Sequence, residues 1–253
     1  MNPRMPALFI GHGSPMNAIT DNPFRTVWTE LGRSLPRPRA LLCISAHWET
    51  TLPMACSADP PQTLHDFGGF PPALYAVRYP ASGSLSLAQR VQALAGGEVS
   101  LNPAWGLDHG AWQILMHLFP EADVPVVQLS LAQSYTAGQH LALARRLAAL
   151  REEGVLIIGS GNIVHNLRLL GEGPTPPWAV EFDAASADAI VKQDLQALVD
   201  YRSLPGAALS VPTPEHYWPL LYVLATRHAD DRLRFFNERF DMGSISMRSL
   251  LLG

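Results

Sequence analysis

Four histidines of this 253-residue chain stand where chemistry can be assembled. Ala7-Leu-Phe-Ile10 runs into Gly11-His12-Gly13-Ser14-Pro15, and Ala40-Leu-Leu-Cys-Ile-Ser45 runs into Ala46-His47-Trp48-Glu49. Val155-Leu-Ile-Ile158 continues as Gly159-Ser-Gly-Asn162 with His165 soon after, and His216 falls in Pro212-Thr-Pro-Glu-His-Tyr217. Each of the four ends an apolar element at a loop marked by Gly or Pro. Neutral imidazole is the commonest ligand for zinc and iron, and a site that admits substrate needs three protein ligands with positions left free. No H-E-x-x-H or C-x-x-C spacing ties the four together, so one shared metal and several separate structural histidines both fit the pattern. His117, His140 and His228 read as structural or solvent-exposed.

His109 lies in Trp105-Gly-Leu-Asp-His-Gly-Ala-Trp112. Either Asp108 caps a helix beside an incidental histidine, or His109 is a positioned acid, base or donor in an aromatic-walled pocket. The stretch from Thr63 to Tyr75 sets paired Gly and Pro residues among His65, Phe67, Phe70 and Tyr75. It is a packed surface loop or a lid over an aromatic substrate. Arg78 beside it could pair a substrate carboxylate, though a surface role is the simpler account.

Other chemistries lose their footing. Lys192 is the sole lysine and sits among Asp188, Gln193 and Asp194, so neither a P-loop nor a pyridoxal Schiff base can be drawn. Both Gly-x-Gly turns lack the third glycine of a dinucleotide fingerprint, and neither Ser14 nor Ser160 sits in a G-x-S-x-G elbow. Cys43 and Cys56 make no disulfide framework. With a net charge of -4 and arginines scattered singly or in pairs, no basic stripe for nucleic acid exists. No apolar run reaches the roughly 18 residues of a membrane span, and the N-terminus lacks a signal region, which implies a soluble cytoplasmic protein. Its oligomeric state, monomer or small homo-oligomer, has no signature here.

The elements that must position these residues follow from apolar periodicity. Charged residues are 16% against a usual share of about 25%, and 47% are hydrophobic, enough for one large core. Strands are expected at Ala7–Ile10, Ala40–Ser45, Val124–Leu131 and Val155–Ile158, with late strands at Leu233–Phe236 and Ile245–Leu252. Helical spacing covers Pro23–Leu35, Ser84–Ala95, Ala111–Phe119, Thr136–Arg151, Val180–Asp200 and Glu215–Arg227. The alternation predicts an α/β chain, a single three-layer α/β/α domain over residues 1–253 with a mostly parallel central sheet. Strand exits in such a sheet share one edge, so the distant histidines can converge there.

Taken in order along the chain, Gly11-His-Gly-Ser-Pro15, Ser45-Ala-His-Trp48, His65-Asp-Phe-Gly-Gly-Phe-Pro71, Asp108-His-Gly110, Gly159-Ser-Gly-Asn162 with His165-Asn166, and Pro212-Thr-Pro-Glu-His-Tyr217 resemble the DODA-type extradiol aromatic ring-opening dioxygenases, a branch of the class III extradiol enzymes. The resemblance implies a mononuclear metal at the C-terminal strand edge, held by His12, His47 and His216. It implies that His165 is a fourth metal contact or the catalytic acid/base, and that His109 is the residue meeting substrate and oxygen. His65, Phe67 and Tyr217 are the implied substrate contacts. The wider superfamily uses two histidines and a glutamate, which keeps Glu215 as the substitute for His216. Fe(II) is the implied active metal, histidine-only ligation also suits Zn(II), and the implied partners are a DOPA-like catechol and O2. Against this stand a zinc hydrolase built on the same pocket and a metal-binding relative without turnover.

Overall fold

The computed structural model describes residues 4–253. In chain order the strands are β1 Ala7–Gly11, β2 Ala40–Thr50, β3 Met54–Cys56, β4 Ser100–Asn102, β5 Val126–Ala132, β6 Val155–Gly161, β7 Leu233–Phe236, β8 Phe240–Asp241, β9 Ile245–Ser246 and β10 Ser249–Leu252. Eight of them form one sheet in the order β4-β3-β5-β2-β6-β1-β10-β7, and β8 pairs with β9 apart from it. The central run β5-β2-β6-β1 is parallel, while β10 joins β1 antiparallel. A parallel strand is covered on both faces and reads as an unbroken apolar run, which is why these four are visible in the sequence.

Alternate side chains of each strand enter opposite layers. Phe9, Leu42, Ile44, Val127, Leu129 and Ile157 pack against the helices Leu85–Leu94, Ala137–Leu147, Pro177–Lys192 and Trp218–Ala225. Leu8, Ile10, Leu41, Cys43, Val126, Leu156 and Ile158 face the helices Pro23–Ser34 and His109–Leu118. The result is the three-layer α/β arrangement, each fully buried Leu or Ile contributing about 1.5–3 kcal/mol of transfer free energy. Among the described residues no helix is long and apolar enough to cross a membrane.

Several boundaries differ from the expectation. The helix read as Val180–Asp200 ends at Lys192, because Gln193 turns left-handed at φ 57° and the Asp194 side chain accepts from Ala197 N to start a second helix, Leu195–Val199. The helix read as Glu215–Arg227 is Trp218–Ala225, with Pro219 in its first turn and residues 214–217 forming a turn. The late strand Ile245–Leu252 divides into β9 and β10. Strands β3 and β4, three residues each, are too short to carry a period. Arg151, at the end of the helical stretch read as Thr136–Arg151, is fully buried and paired with Asp231.

Three features aim the histidines. Beyond Ile44↔Leu129 the β2–β5 register resumes only at Glu49↔Leu131 while Ser45 still pairs with Ser160 of β6, so β2 bulges from β5 around His47. A Cβ on Gly161 would stand 2.1 Å from the carbonyl oxygen of His216, and Asn162 N donates to that same oxygen at 2.8 Å. The His216 turn is thereby seated on the end of β6. Asp108 caps the His109–Leu118 helix by accepting from Ala111 N, which makes His109 its first residue.

Candidate metal centre

His12, His47 and His216 come from three separate segments and offer nitrogens that all lie within 4.8 Å of one another. Nε2 of His12 and Nε2 of His47 are 3.1 Å apart. The outward nitrogens decide the tautomers. Ser160 Oγ donates to Gly110 O at 2.6 Å, so its contact of 3.0 Å with His12 Nδ1 must be a bond donated by the histidine. His216 Nδ1 donates to the Glu215 carboxylate at 3.0 Å. His47 Nδ1 faces the Asp66 carboxylate at 3.5 Å. His12 and His216 therefore carry their protons on the outside and turn Nε2 inward, and the nearby Asp66 carboxylate favours the same tautomer in His47. His216 Nε2 is buried with no hydrogen-bond partner.

Burial first, and then repulsion from the other imidazoles, holds His12 and His47 well below the ordinary histidine range. Burial likewise lowers His216, although the neighbouring Glu215 charge opposes it. Burial raises Glu215, but its bond to His216 outweighs that and brings the carboxyl down to about 2. Neutral rings with converging lone pairs repel one another unless a cation sits between them. The donor set therefore fits a divalent metal of the imidazole-binding kind, with outer partners fixing each ring.

His165 stands in a different relation. Its ring lies parallel to that of His216, 7° between planes and 3.5 Å between centroids, and its nitrogen groups with Glu215 and His216. Burial and the adjacent His216 push its pKa down to about 2, against the pull of Glu215. His109 is clamped from the other side: Asp66 accepts from its backbone N at 2.8 Å and from Nδ1 at 2.9 Å. Burial raises the Asp66 carboxyl, and the bonds from His109 more than reverse this, leaving it below the usual range. Beneath them Asp108, fully buried, accepts from Ser45 Oγ at 2.7 Å and from Gln128 Nε2. Burial and the charge of Asp66 raise its pKa to about 6.

The five histidines and Asp66 line a cavity of about 420 Å³ together with Gly13, Ser14, Pro15, Phe67, Phe70, Leu167, Leu170, Met242 and Ile245. Of the residues singled out from sequence, His12, His47, His109, His165, His216 and Phe67 all line it. His65 and Tyr217 do not. His65 is turned behind Phe67, with Nε2 3.1 Å from Val77 O and its ring against Trp112. Tyr217 is fully buried on the far side of the turn, packed on Tyr201 and Phe182. Neighbours in a turn point apart, so only His216 of that pair reaches the cavity. Arg78 also lies elsewhere, its Nη1 donating to Tyr75 O and Val77 O. Sequence reasoning gave Asp66 and Ser160 no part in holding the rings. The adjacency of Asp66 to His65 within a Gly/Pro-rich stretch was the only signal for Asp66.

The sequence family described as the catalytic LigB subunit of aromatic ring-opening dioxygenase matches residues 6–237. A protein of Escherichia coli (strain K12) named 4,5-DOPA dioxygenase extradiol is 47% identical over 99% of this chain and 95% of its own length. A protein of the same name from Beta vulgaris is 38% identical over 95% of this chain and 94% of its own. The crystal structure of an uncharacterized Escherichia coli K12 protein matches with a TM-score of 0.86 at 42% identity, covering 99% of this chain and 100% of that one.

Proposed function

The chain belongs to the LigB family of aromatic ring-opening dioxygenases, and from that premise we propose that it is a ferrous extradiol enzyme cleaving a catechol with O2. His12, His47 and His216 are its metal ligands in this reading. The observation that carries it is the set of three inward Nε2 lone pairs, each ring fixed by an outer acceptor on Ser160, Asp66 or Glu215. Three protein ligands leave positions for substrate and oxygen. Zn(II) fits the same nitrogens, and zinc-filled protein would bind catechol without opening it. A bound ferrous ion would supply a place for both catechol oxygens and O2 and a path for electrons between them.

The chain's own residues then handle protons and water. His165 is neutral near pH 7 and accepts the proton leaving a catechol hydroxyl, its affinity rising as negative charge develops beside it. It returns that proton later in the reaction. His109, with Nδ1–H held by Asp66, lines the cavity where it can meet substrate and oxygen. Phe67 and Phe70 cover the ring and exclude water. The reading treats the chain as one catalytic domain, supported by a sheet that draws β1 and β10 from its two ends.

The test is anaerobic reconstitution with Fe(II), then a catechol panel and air, following O2 uptake and the coloured ring-opened product. Stoichiometric O2 consumption is expected. Iron-loaded protein that consumes none with any catechol rules the reading out.

A further inference from the structure

We propose that Ser14 is a specificity-determining residue of this site: its hydroxyl and its backbone N–H together hold a carboxylate carried on the ring substituent of the catechol. The inference rests on the dioxygenase reading and gives a role to a residue that the reading leaves idle. L-DOPA, in the names of the relatives, carries such a carboxylate.

A carboxylate entering a partly closed cavity needs donors to replace its water. Among the residues lining this cavity there is no lysine or arginine, and Asp66, its only acid, repels an anion. The side chains of Phe67, Phe70, Leu167, Leu170, Met242 and Ile245 offer no hydrogen. The histidines have other work: three face the metal position, His109 donates to Asp66, and His165 takes the catechol proton.

The wall that is left is Gly13-Ser14-Pro15. Pro15 has no N–H, and Gly13 N already donates to Asn162 Oδ1 at 3.4 Å. Ser14 differs from both. Its Oγ accepts from Met16 N at 3.2 Å, which leaves the hydroxyl hydrogen to be donated. Neither that hydrogen nor the Ser14 backbone N–H has an acceptor among the described residues. His12 Nδ1 bonds Ser160 rather than Ser14, so the Ser14 hydroxyl lacks the base that a nucleophile requires. An N–H and an O–H on one residue suit the oxygens of a carboxylate, and hydrogen bonds to an ionised acceptor are the stronger kind.

The flanking segment holds these donors in place. His12 O accepts from Gln113 Nε2 at 2.6 Å and from Asn17 Nδ2 at 3.1 Å, and Asn17 N donates to Ser14 O at 3.0 Å. Gly13 turns left-handed at φ 61°, a conformation that a side chain there would strain. Donors fixed before the substrate arrives spare binding the cost of ordering them. The turn that carries His12 thus also carries the side-chain subsite.

Enzyme loaded with Fe(II) and kept free of air is titrated calorimetrically with L-DOPA and dopamine, and with 3-(3,4-dihydroxyphenyl)propionate and 4-ethylcatechol; kcat/KM is then measured in air. The members of each pair differ only in the carboxylate. Ser14→Ala should weaken binding of the carboxylate member about tenfold or more relative to its partner, in both pairs, as for any lost hydrogen bond to a charged group. Ser14→Thr restores a hydroxyl and should recover most of that ratio. Metal content by elemental analysis should match wild type in both variants. An equal loss for both members of a pair, an unmoved ratio, a ratio that Ser14→Thr does not recover, or loss of metal from Ser14→Ala overturns the proposal. The expected shift in binding, with iron-loaded wild type that consumes no O2, supports the Ser14 subsite and removes the ring-opening reading instead. Failure of every catechol to bind overturns both.

Discussion

Two edges of the same sheet bury strongly polar side chains and treat them in opposite ways. Where β1 and β6 begin, Arg151 is fully buried and its donors reach Met5 O, Thr226 O, Leu252 O and both oxygens of Asp231. Every N–H of the guanidinium has an acceptor. Where β1 and β6 end, His12, His47 and His216 are also removed from most water, yet Nε2 of His12 and of His47 meet only each other and Nε2 of His216 has no partner. A polar group buried with partners contributes to one rigid arrangement, whereas polar groups buried without them cost stability and invite a ligand. The contrast separates a structural cluster from a functional one without reference to residue type.

Removing one inward nitrogen tests the contrast most severely. His216→Ala should lose metal affinity by more than the roughly 100-fold typical of outer-partner changes and lose turnover with it. Its metal-free urea midpoint should hold or rise, since an unpaired polar atom is gone. Equilibrium dialysis with Fe(II) or Zn(II) beside urea unfolding reads both, and a large loss of metal-free stability would erase the distinction. At the other edge, Arg151→Met leaves Asp231 only Arg4 and the His228 N–H and should cost about 3 kcal/mol in urea unfolding while leaving metal affinity of the folded protein unchanged.

Effects on the reaction sort the residues around the metal. His165→Ala should keep its metal by elemental analysis and lose about 100-fold or more in turnover. If metal content collapses instead, His165 is a ligand. Asp66→Asn offers only one acceptor to two donors of His109, so turnover should fall about 10- to 100-fold with metal retained and the pH–rate profile displaced. An unchanged profile would leave Asp66 a packing role only.

The smallest effect is on pH and belongs to the structural edge. Burial raises the Asp231 carboxyl, and its bonds to Arg151 and the His228 N–H, with the charge of Arg4, more than compensate, so its folded pKa lies below the unfolded value. Its stabilisation is present above the ordinary carboxylate range, near about pH 4, and is lost as pH falls through the lower folded value. Wild-type stability should therefore fall on acidification in that window, and Arg151→Met should show a smaller fall. Parallel slopes for the two proteins would contradict the assignment.

Much of the frame was legible. The four parallel strands announce themselves because burial on both faces makes them unbroken apolar runs, and the glycine turns behind β1 and β6 mark where backbones approach closely. Strands β3 and β4 were not legible, being shorter than any period. The break at Gln193 was hidden because helical apolar spacing continues through it. His65 and Tyr217 misled for a local reason: each adjoins a residue that does enter the cavity, and a motif read as a string does not say which of two neighbours points inward.

What the chain determined by itself is which residue types follow which strands, since the alternation of apolar runs and helices already puts His12, His47 and His165 at one edge. The tertiary structure decided what those histidines are. The acceptors that fix His12 and His109 lie 148 and 43 residues away, on Ser160 and Asp66, and the parallel stacking of His165 on His216 joins two separate segments. A tautomer depends on the partner of the opposite ring nitrogen, and that partner is chosen by packing between elements, which local sequence does not encode.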